Sequence, residues 1–376
     1  MMRQSLSPLL GDGLFISDST TWRSRRPLVA DIVHKTRVPS FGTSMSEATL
    51  HLLQHWKDMP RSDSINLLAD MAELTAEIIS RAVFGQRLGR AALAGIVEGF
   101  GAYQARIDSF NLPYFMGVAE GGRVGRGRPI QAAVQKVHSV IDHVVNEHIE
   151  GRGDHGSMVD LLVRRNQKNP ELGLDLAALR NEAATIFMAG HETTAVTLTW
   201  AFYMLSKAPW AEERLLQELR EVVGDRDPTI EDVPRLEYAR AIIEETLRLY
   251  PAVPILPRQA ASAIRIGDID VEQDALVLVV PWLLHRADDL WEAPTHFRPE
   301  RFLNSQRPTP YTYIPFSVGP RICAGLNFGL SESILCLALI ARHARLEVAP
   351  GFVADPVCRL SLRPSSPILM KIEPRH

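Results

Sequence analysis

The chain has 376 residues, with 41 Lys and Arg against 44 Asp and Glu and a formal net charge of −3. That near-balance gives no basis for nucleic acid or an anionic membrane surface as partner, and three cysteines (Cys323, Cys336 and Cys358) are too few and too irregular for a disulfide framework. The start, Met1 to Pro8, lacks the apolar core of a signal peptide, and no run elsewhere is apolar enough to span a bilayer. The expectation is therefore a soluble, cytoplasmic protein without a transmembrane anchor. No linker-like tract divides the chain, so one domain over 1–376 is expected.

In chain order, the first informative segment is Ser17 to Arg37. Ser17, Asp18 and Ser19 are capping residues for a helix that carries Trp22 and Arg26. Four apart, these two share a helix face, so an indole N–H and a guanidinium can grip one carboxylate together. Helical periods follow at Ser44 to Met59, Ile65 to Phe84 and Ala91 to Ile107. His51 and His55 have metal-compatible spacing, but no third ligand is in view and they read as solvated. The glycine-rich tract Asn111 to Arg128 is the most loop-like part of the chain, and it is not a phosphate loop because no Gly-Lys-Ser/Thr follows. In the helix after it, Gln131 to Ile149, His138, His143 and His148 step by five and cannot line one face.

The longest helical pattern runs from about Asp175 to Lys207 and contains Ala189-Gly-His-Glu-Thr-Thr194. Glycine and hydroxyl-bearing residues weaken a helix where its middle ought to be strongest, which predicts a widened or kinked turn with room for a small ligand. Glu192 beside Thr193 is an acid next to an alcohol, a pair able to pass protons inward. The start of a zinc pattern at His191-Glu192 fails, because Ala195 stands where the second histidine belongs.

Trp210 to Val223 reads as an amphipathic helix, and Leu236 to Tyr250 as another, stopped by Pro251. Glu245 and Arg248 lie three apart on the second and can face the same side. Short strand-like runs at Ile264 to Ile266, Ile269 to Val271 and Ala275 to Val280 imply a small sheet beside a helical bulk, closed by strands at Leu346 to Val348 and Leu369 to Ile372.

Before the last of these lies Phe316-Ser-Val-Gly-Pro-Arg321-Ile-Cys323-Ala-Gly325, a tight loop leading into a near-continuous apolar helix from Leu326. A sulfur at such a helix start sees the positive end of the dipole, and Arg321 adds a cation, so a thiolate is expected. It could serve as a nucleophile or a metal ligand.

The pattern Phe-x-x-Gly-x-Arg-x-Cys-x-Gly resembles the haem-ligand loop of the cytochrome P450 family. Ala189-Gly190-His-Glu192-Thr193-Thr is similar to that family's oxygen-activation motif, and Glu245-Thr-Leu-Arg248 with Pro299-Glu-Arg301-Phe302 to its Glu-x-x-Arg and Pro-Glu-Arg-Phe pair. The resemblance implies a mainly α fold with a minor β region, binding haem b through Cys323. It implies propionate contacts from Trp22, Arg26, Arg258 and Arg321, and a haem loop built on Phe316 and Gly325. Thr193 becomes the hydrogen-bond partner of bound dioxygen and Glu192 a proton source, with Ala189 and Gly190 beside them. Glu245, Arg248 and Arg301 become a structural trio under the loop, and Ile186, Val253, Ile255 and Leu256 the substrate wall, with the turn Pro364-Ser-Ser-Pro367 beside it.

The implied reaction is monooxygenation of a small apolar or amphipathic molecule. O2 is the oxidant, and a ferredoxin, flavodoxin or flavoprotein reductase supplies electrons, since no flavin or iron–sulfur motif follows the haem loop. The family's segment ahead of the Trp22 helix has little counterpart here, so an open sheet edge and pocket wall are expected. The alternatives are a haem-binding but catalytically impaired short form and a haem-thiolate isomerase or peroxygenase.

Overall fold

A helix of 32 residues, Leu176–Lys207, runs through the structure, a computed structural model that describes residues 2–60, 62–85, 89–107, 128–303 and 308–375. It is apolar on most sides and accordingly buried on most sides. Asp175 caps it, its carboxylate accepting from the N–H of Ala178 at 2.7 Å, and Lys207 closes it before Pro209.

Around this central helix, α8, pack α4 (Leu67–Phe84), α6 (Arg128–Ile149), α7 (Met158–Lys168), α10 (Glu237–Leu249) and α12 (Leu326–His343). α1 (Met2–Leu10) and α9 (Pro209–Val222) also touch it, and outside these lie α2 (Ser19–Ile32), α3 (Gly42–Asp58), α5 (Arg90–Ile107) and the single turn α11 (Pro281–Leu284). The strands are peripheral and antiparallel. One sheet has the order β1 (Ser64–Asn66), β9 (Leu369–Pro374), β6 (Ala344–Val348). β2 (Leu256–Gln259) pairs with β5 (Leu276–Val279), β3 (Ile264–Ile266) with β4 (Ile269–Val271), and β7 (Pro356–Cys358) with β8 (Leu362–Pro364). Among the described residues no helix is long and apolar enough to cross a membrane.

Several sequence expectations are corrected by tertiary packing. The helix expected from Ile65 begins at Leu67, because Ile65 is a strand residue opposite Met370 and Asn66 caps the helix through Ala69. Asp18 sits at the cap position of α2 without a side-chain cap bond, and α2 stops at Ile32, not Arg37. α1 and α7 are unanticipated helices. α1 is short and contains Pro8, yet it buries Leu6, Leu9 and Leu10, while α7 is started by the hydroxyl of Ser157 accepting from Asp160 N–H. Of the loop-like tract Asn111 to Arg128, only Arg128 falls within the described residues, where it opens α6.

Glu245 and Arg248 are wholly buried. Arg248 donates to both carboxylate oxygens, Nε to Oε2 at 2.7 Å and Nη2 to Oε1 at 2.8 Å, and Oε1 also accepts from the Arg298 N–H and, at 3.4 Å, from Arg301 Nε. The remaining Arg248 donors reach the carbonyls of His285, Pro294 and His296, so one side chain holds three points of the segment after α11. His285 passes the restraint on, its Nε2 accepting from Ile314 N–H at 2.9 Å, two residues before Phe316. Such a cluster contributes geometry more than net stability, but removing one partner strands a buried charge. Arg248→Ala is expected to lower unfolding free energy by about 3–5 kcal/mol. Denaturant titration checks this, and a loss below about 1 kcal/mol, the range of an exposed pair, would contradict it.

Candidate functional site

The loop before α12 is folded back on itself. Cys323 N–H donates to the Phe316 carbonyl at 2.9 Å and Ile322 N–H to Gly319 at 3.0 Å, closing a turn in which Gly319 has φ of +69°. That angle explains the glycine at 319. Gly325 has an ordinary φ of −87°, and a Cβ built there would meet nothing within 4 Å, so the loop fronts open space. Phe316 packs on the core below.

Cys323 has accessible surface, yet it is enclosed enough for burial to raise its thiol pKa. The Gly325 N–H and the charge of Arg26 oppose that shift without overcoming it. The expectation of a thiolate favoured by the helix end and Arg321 is therefore corrected twice. Desolvation wins, and the cation acting on the sulfur is Arg26. A coordinated metal would reverse the balance, since it deprotonates a ligating thiol outright.

Around this loop guanidiniums converge. Trp22 and Arg26 both lie on α2, and the Arg321 guanidinium covers the Trp22 ring at 4.2 Å while donating to the Ser17 carbonyl at 2.9 Å. Arg258, on β2, reaches the Ser317 hydroxyl of the loop at 3.3 Å. Burial, then Arg258 and Arg26, lower the pKa of Arg321, and Asp18 opposes them. Among the described residues neither Arg26 nor Arg258 forms an ion pair. Cations brought together without matching carboxylates make an anion site.

In the middle of α8, Ala189 is exposed and Gly190 and Thr193 are partly exposed between buried turns. The expected widened turn is absent: the helix continues as α through 189–194. Thr193 absorbs its hydroxyl locally, Oγ1 donating to the Ala189 carbonyl at 2.7 Å. Gly190 has a packing reason, because a Cβ there would fall 2.7 Å from Ile79 Cδ1 of α4. The same helix contact brings Thr75 Oγ1 to the His191 carbonyl at 2.9 Å. His191 itself is buried, with its pKa lowered to about 4 by desolvation.

Glu192 points elsewhere from Thr193. Its Oε1 accepts from Arg363 Nη2 at 2.6 Å and Nε at 2.8 Å, and from the Ser361 hydroxyl. Ile186 is buried, while Val253, Ile255 and Leu256 are half-buried ahead of and at the start of β2. Sequence reasoning missed Ser361 and Arg363, which no local spacing relates to residue 192. It also missed Glu332, whose signal was available: it is the single charged residue in the apolar run Leu326 to Ala341.

The family model for cytochrome P450 matches residues 1–372. The chain belongs to the cytochrome P450 family. This P450 chain is 30% identical over 384 residues to cyclooctatin synthase of Streptomyces melanosporofaciens, covering 100% of this chain and 81% of that one. It is 27% identical to cytochrome P450 714A2 of Arabidopsis thaliana, over 98% and 73% of the two chains. The heme domain of cytochrome P450DA superposes with a TM-score of 0.87 at 24% identity, covering 99% of this chain and 82% of that one. Membership makes the chain an oxygenase enzyme with a haem cofactor, an organic substrate, O2 and a redox partner. The residues present fit the group: a partly enclosed but accessible sulfur, a cluster of cations for carboxylates, and a small-residue face at mid-helix.

Arg363 pairs with the buried Glu192, its Nη2 lying 2.6 Å from Oε1. Arg363→Met should therefore destabilise the fold by about 3 kcal/mol, the low end for a buried pair because the arginine is itself partly exposed. Adding Glu192→Gln should recover part of that loss in chemical denaturation, and additive losses would contradict the pairing.

Proposed function

We propose that this P450 chain is a haem b thiolate monooxygenase acting on a small apolar or amphipathic molecule, in the cytoplasm, with electrons from a separate ferredoxin, flavodoxin or flavoprotein reductase. The observation that carries the reading is the Cys323 loop, pinned by Phe316 and His285, with Arg26, Arg258 and Arg321 gathered beside it. Cys323 would ligate the haem iron, and the haem, when bound, would supply dioxygen activation. Arg26, Arg258 and Arg321 would hold its propionates, and Trp22 fixes Arg321 through ring contact.

Thr193 holds a proton at Oγ1 on the exposed stretch of α8 and can turn it from the Ala189 carbonyl toward the pocket. Glu192 is occupied by Ser361 and Arg363, so moving a proton inward requires its carboxylate to change partners. Ile186, Val253, Ile255 and Leu256 supply an apolar substrate wall, consistent with a substrate lacking formal charge.

The reduced, CO-treated protein should show the red-shifted absorption of a thiolate-ligated haem. Cys323→Ser should abolish it, whereas alanine at Cys336 or Cys358 should not, and survival of the band in Cys323→Ser would sink the assignment. Thr193→Ala should leave haem binding intact but raise the share of reducing equivalents released as peroxide at least tenfold, a general-acid effect of ordinary size. Peroxide assays under turnover decide this. Unchanged coupling would remove Thr193 from proton delivery.

A further inference from the structure

Glu332, on α12 beyond the Cys323 loop, is wholly buried. At 1.5 Å per residue it stands about 9 Å along the helix from Leu326. Its Oε2 accepts from Thr194 Oγ1 at 3.2 Å, and among the described residues Oε1 has no partner. Thr193, Thr197 and Thr199 each return their hydroxyl hydrogen to the carbonyl one turn back in α8, but Thr194 sends its hydrogen across to Glu332. The one direct side-chain hydrogen bond from this hydroxyl pair thus leaves the oxygen-side helix for the helix that begins at the cysteine.

The groups facing Glu332 are few. Thr194 comes from α8, and Cys336 from its own helix, the latter's sulfur 3.4 Å from Thr49 of α3. Among the described residues no cation and no second carboxylate acts on it. A bare carboxylate oxygen in such surroundings is too costly to keep ionised, so the group carries its proton. Burial raises its pKa from 4.5 to about 8.

We propose that Glu332 is a positioning residue: as a neutral carboxylic acid it ties the Thr194 hydroxyl to α12 and so fixes the turn of α8 that presents Thr193 to the pocket. The proposal rests on the haem-thiolate reading for the role of Thr193, but the buried acid and its bridge do not. The folded state retains this proton where the unfolded chain has released it. Stability from the neutral group is therefore complete below about pH 4.5 and is lost as pH rises to about 8.

The deciding measurement is the infrared carbonyl stretch of a protonated carboxyl group, taken as the difference between wild type and Glu332→Gln. The band should be present near pH 6, vanish as pH passes about 8, and shift in frequency in Thr194→Val, which removes the hydrogen-bond donor. No such band near pH 6, or a band unmoved in Thr194→Val, overturns the bridge. In thermal unfolding, wild type should lose ground to Glu332→Gln as pH rises through this window, and parallel curves count against the neutral acid.

Positioning is read from CO bound to the reduced protein. Its C–O stretch should match wild type in Glu332→Gln and split or shift in Glu332→Leu, and a Leu variant identical to wild type overturns the positioning role. Should the Leu variant not fold, Thr194→Val takes its place. If wild type gives no thiolate-type CO spectrum, the haem-thiolate reading fails and the positioning role falls with it, while the infrared arm still decides the bridge.

Discussion

The Glu245 carboxylate is the constraint on which the rest of the site depends. It has no contact with solvent, and its oxygens are met by Arg248, the backbone of Arg298 and Arg301. Because Arg248 also holds the carbonyls of residues 285, 294 and 296, the largely irregular segment after α11, whose one 3-10 turn is Pro299–Phe302 among the described residues up to 316, is tied to α10. Tyr313 adds a second tie through the Glu244 carbonyl at 2.9 Å. The loop bearing Cys323 starts where these ties end. On the proposed reading, a sulfur that would ligate a cofactor needs such a platform, since a loop held only by its own turns would drift.

Helical periodicity made the central helix, α3, α9, α10 and α12 legible within a residue or two, because each buries a wide apolar face. The hairpins around Gly267 and the closing strands were legible from turn residues and alternation. What was hidden belongs to partners far apart in the chain. Ile65 looks like a helix residue until Met370 is seen opposite it, and Met2–Leu10 is a poor helix until it finds the core. The motif residues themselves were all readable, but their surroundings were not. Local reasoning assigned the sulfur's cation to its neighbour Arg321, whereas Arg26, almost three hundred residues earlier, acts on it. It also took weak helix formers at 190–194 to mean a distorted helix. Packing against Ile79 of α4 keeps that stretch α-helical instead.

Charge balance separates scaffold from site in this molecule. Where a carboxylate is buried for structural reasons, a cation or a set of backbone N–H groups meets it. Glu182 takes Arg25 at 3.0 Å and the Leu14 N–H, Glu192 takes Arg363, Glu245 takes Arg248, and Glu218 takes the N–H groups of Tyr238 and Ala239. Two places break this pattern in opposite senses. At the Cys323 loop three guanidiniums gather with little carboxylate to answer them, and in α12 a carboxyl is buried with no cation acting on it among the described residues.

The first imbalance is useful only if an anionic group enters from outside the chain, which a cofactor with two carboxylates does. The second is tolerable only if the acid keeps its proton, and a neutral acid can donate or accept without importing charge next to a metal site. Both breaks lie along α12 and the loop that precedes it, on the side facing the glycine-bearing stretch of α8. On the proposed reading, the helix that starts just after the metal ligand Cys323 also holds, through Glu332, the threonine beside the proton-handling Thr193. The buried stretch Ile334 to Ala341 anchors that helix in the core, and on the same reading the residues from Leu326 to Glu332 would carry a change at the sulfur to the Thr194 hydroxyl.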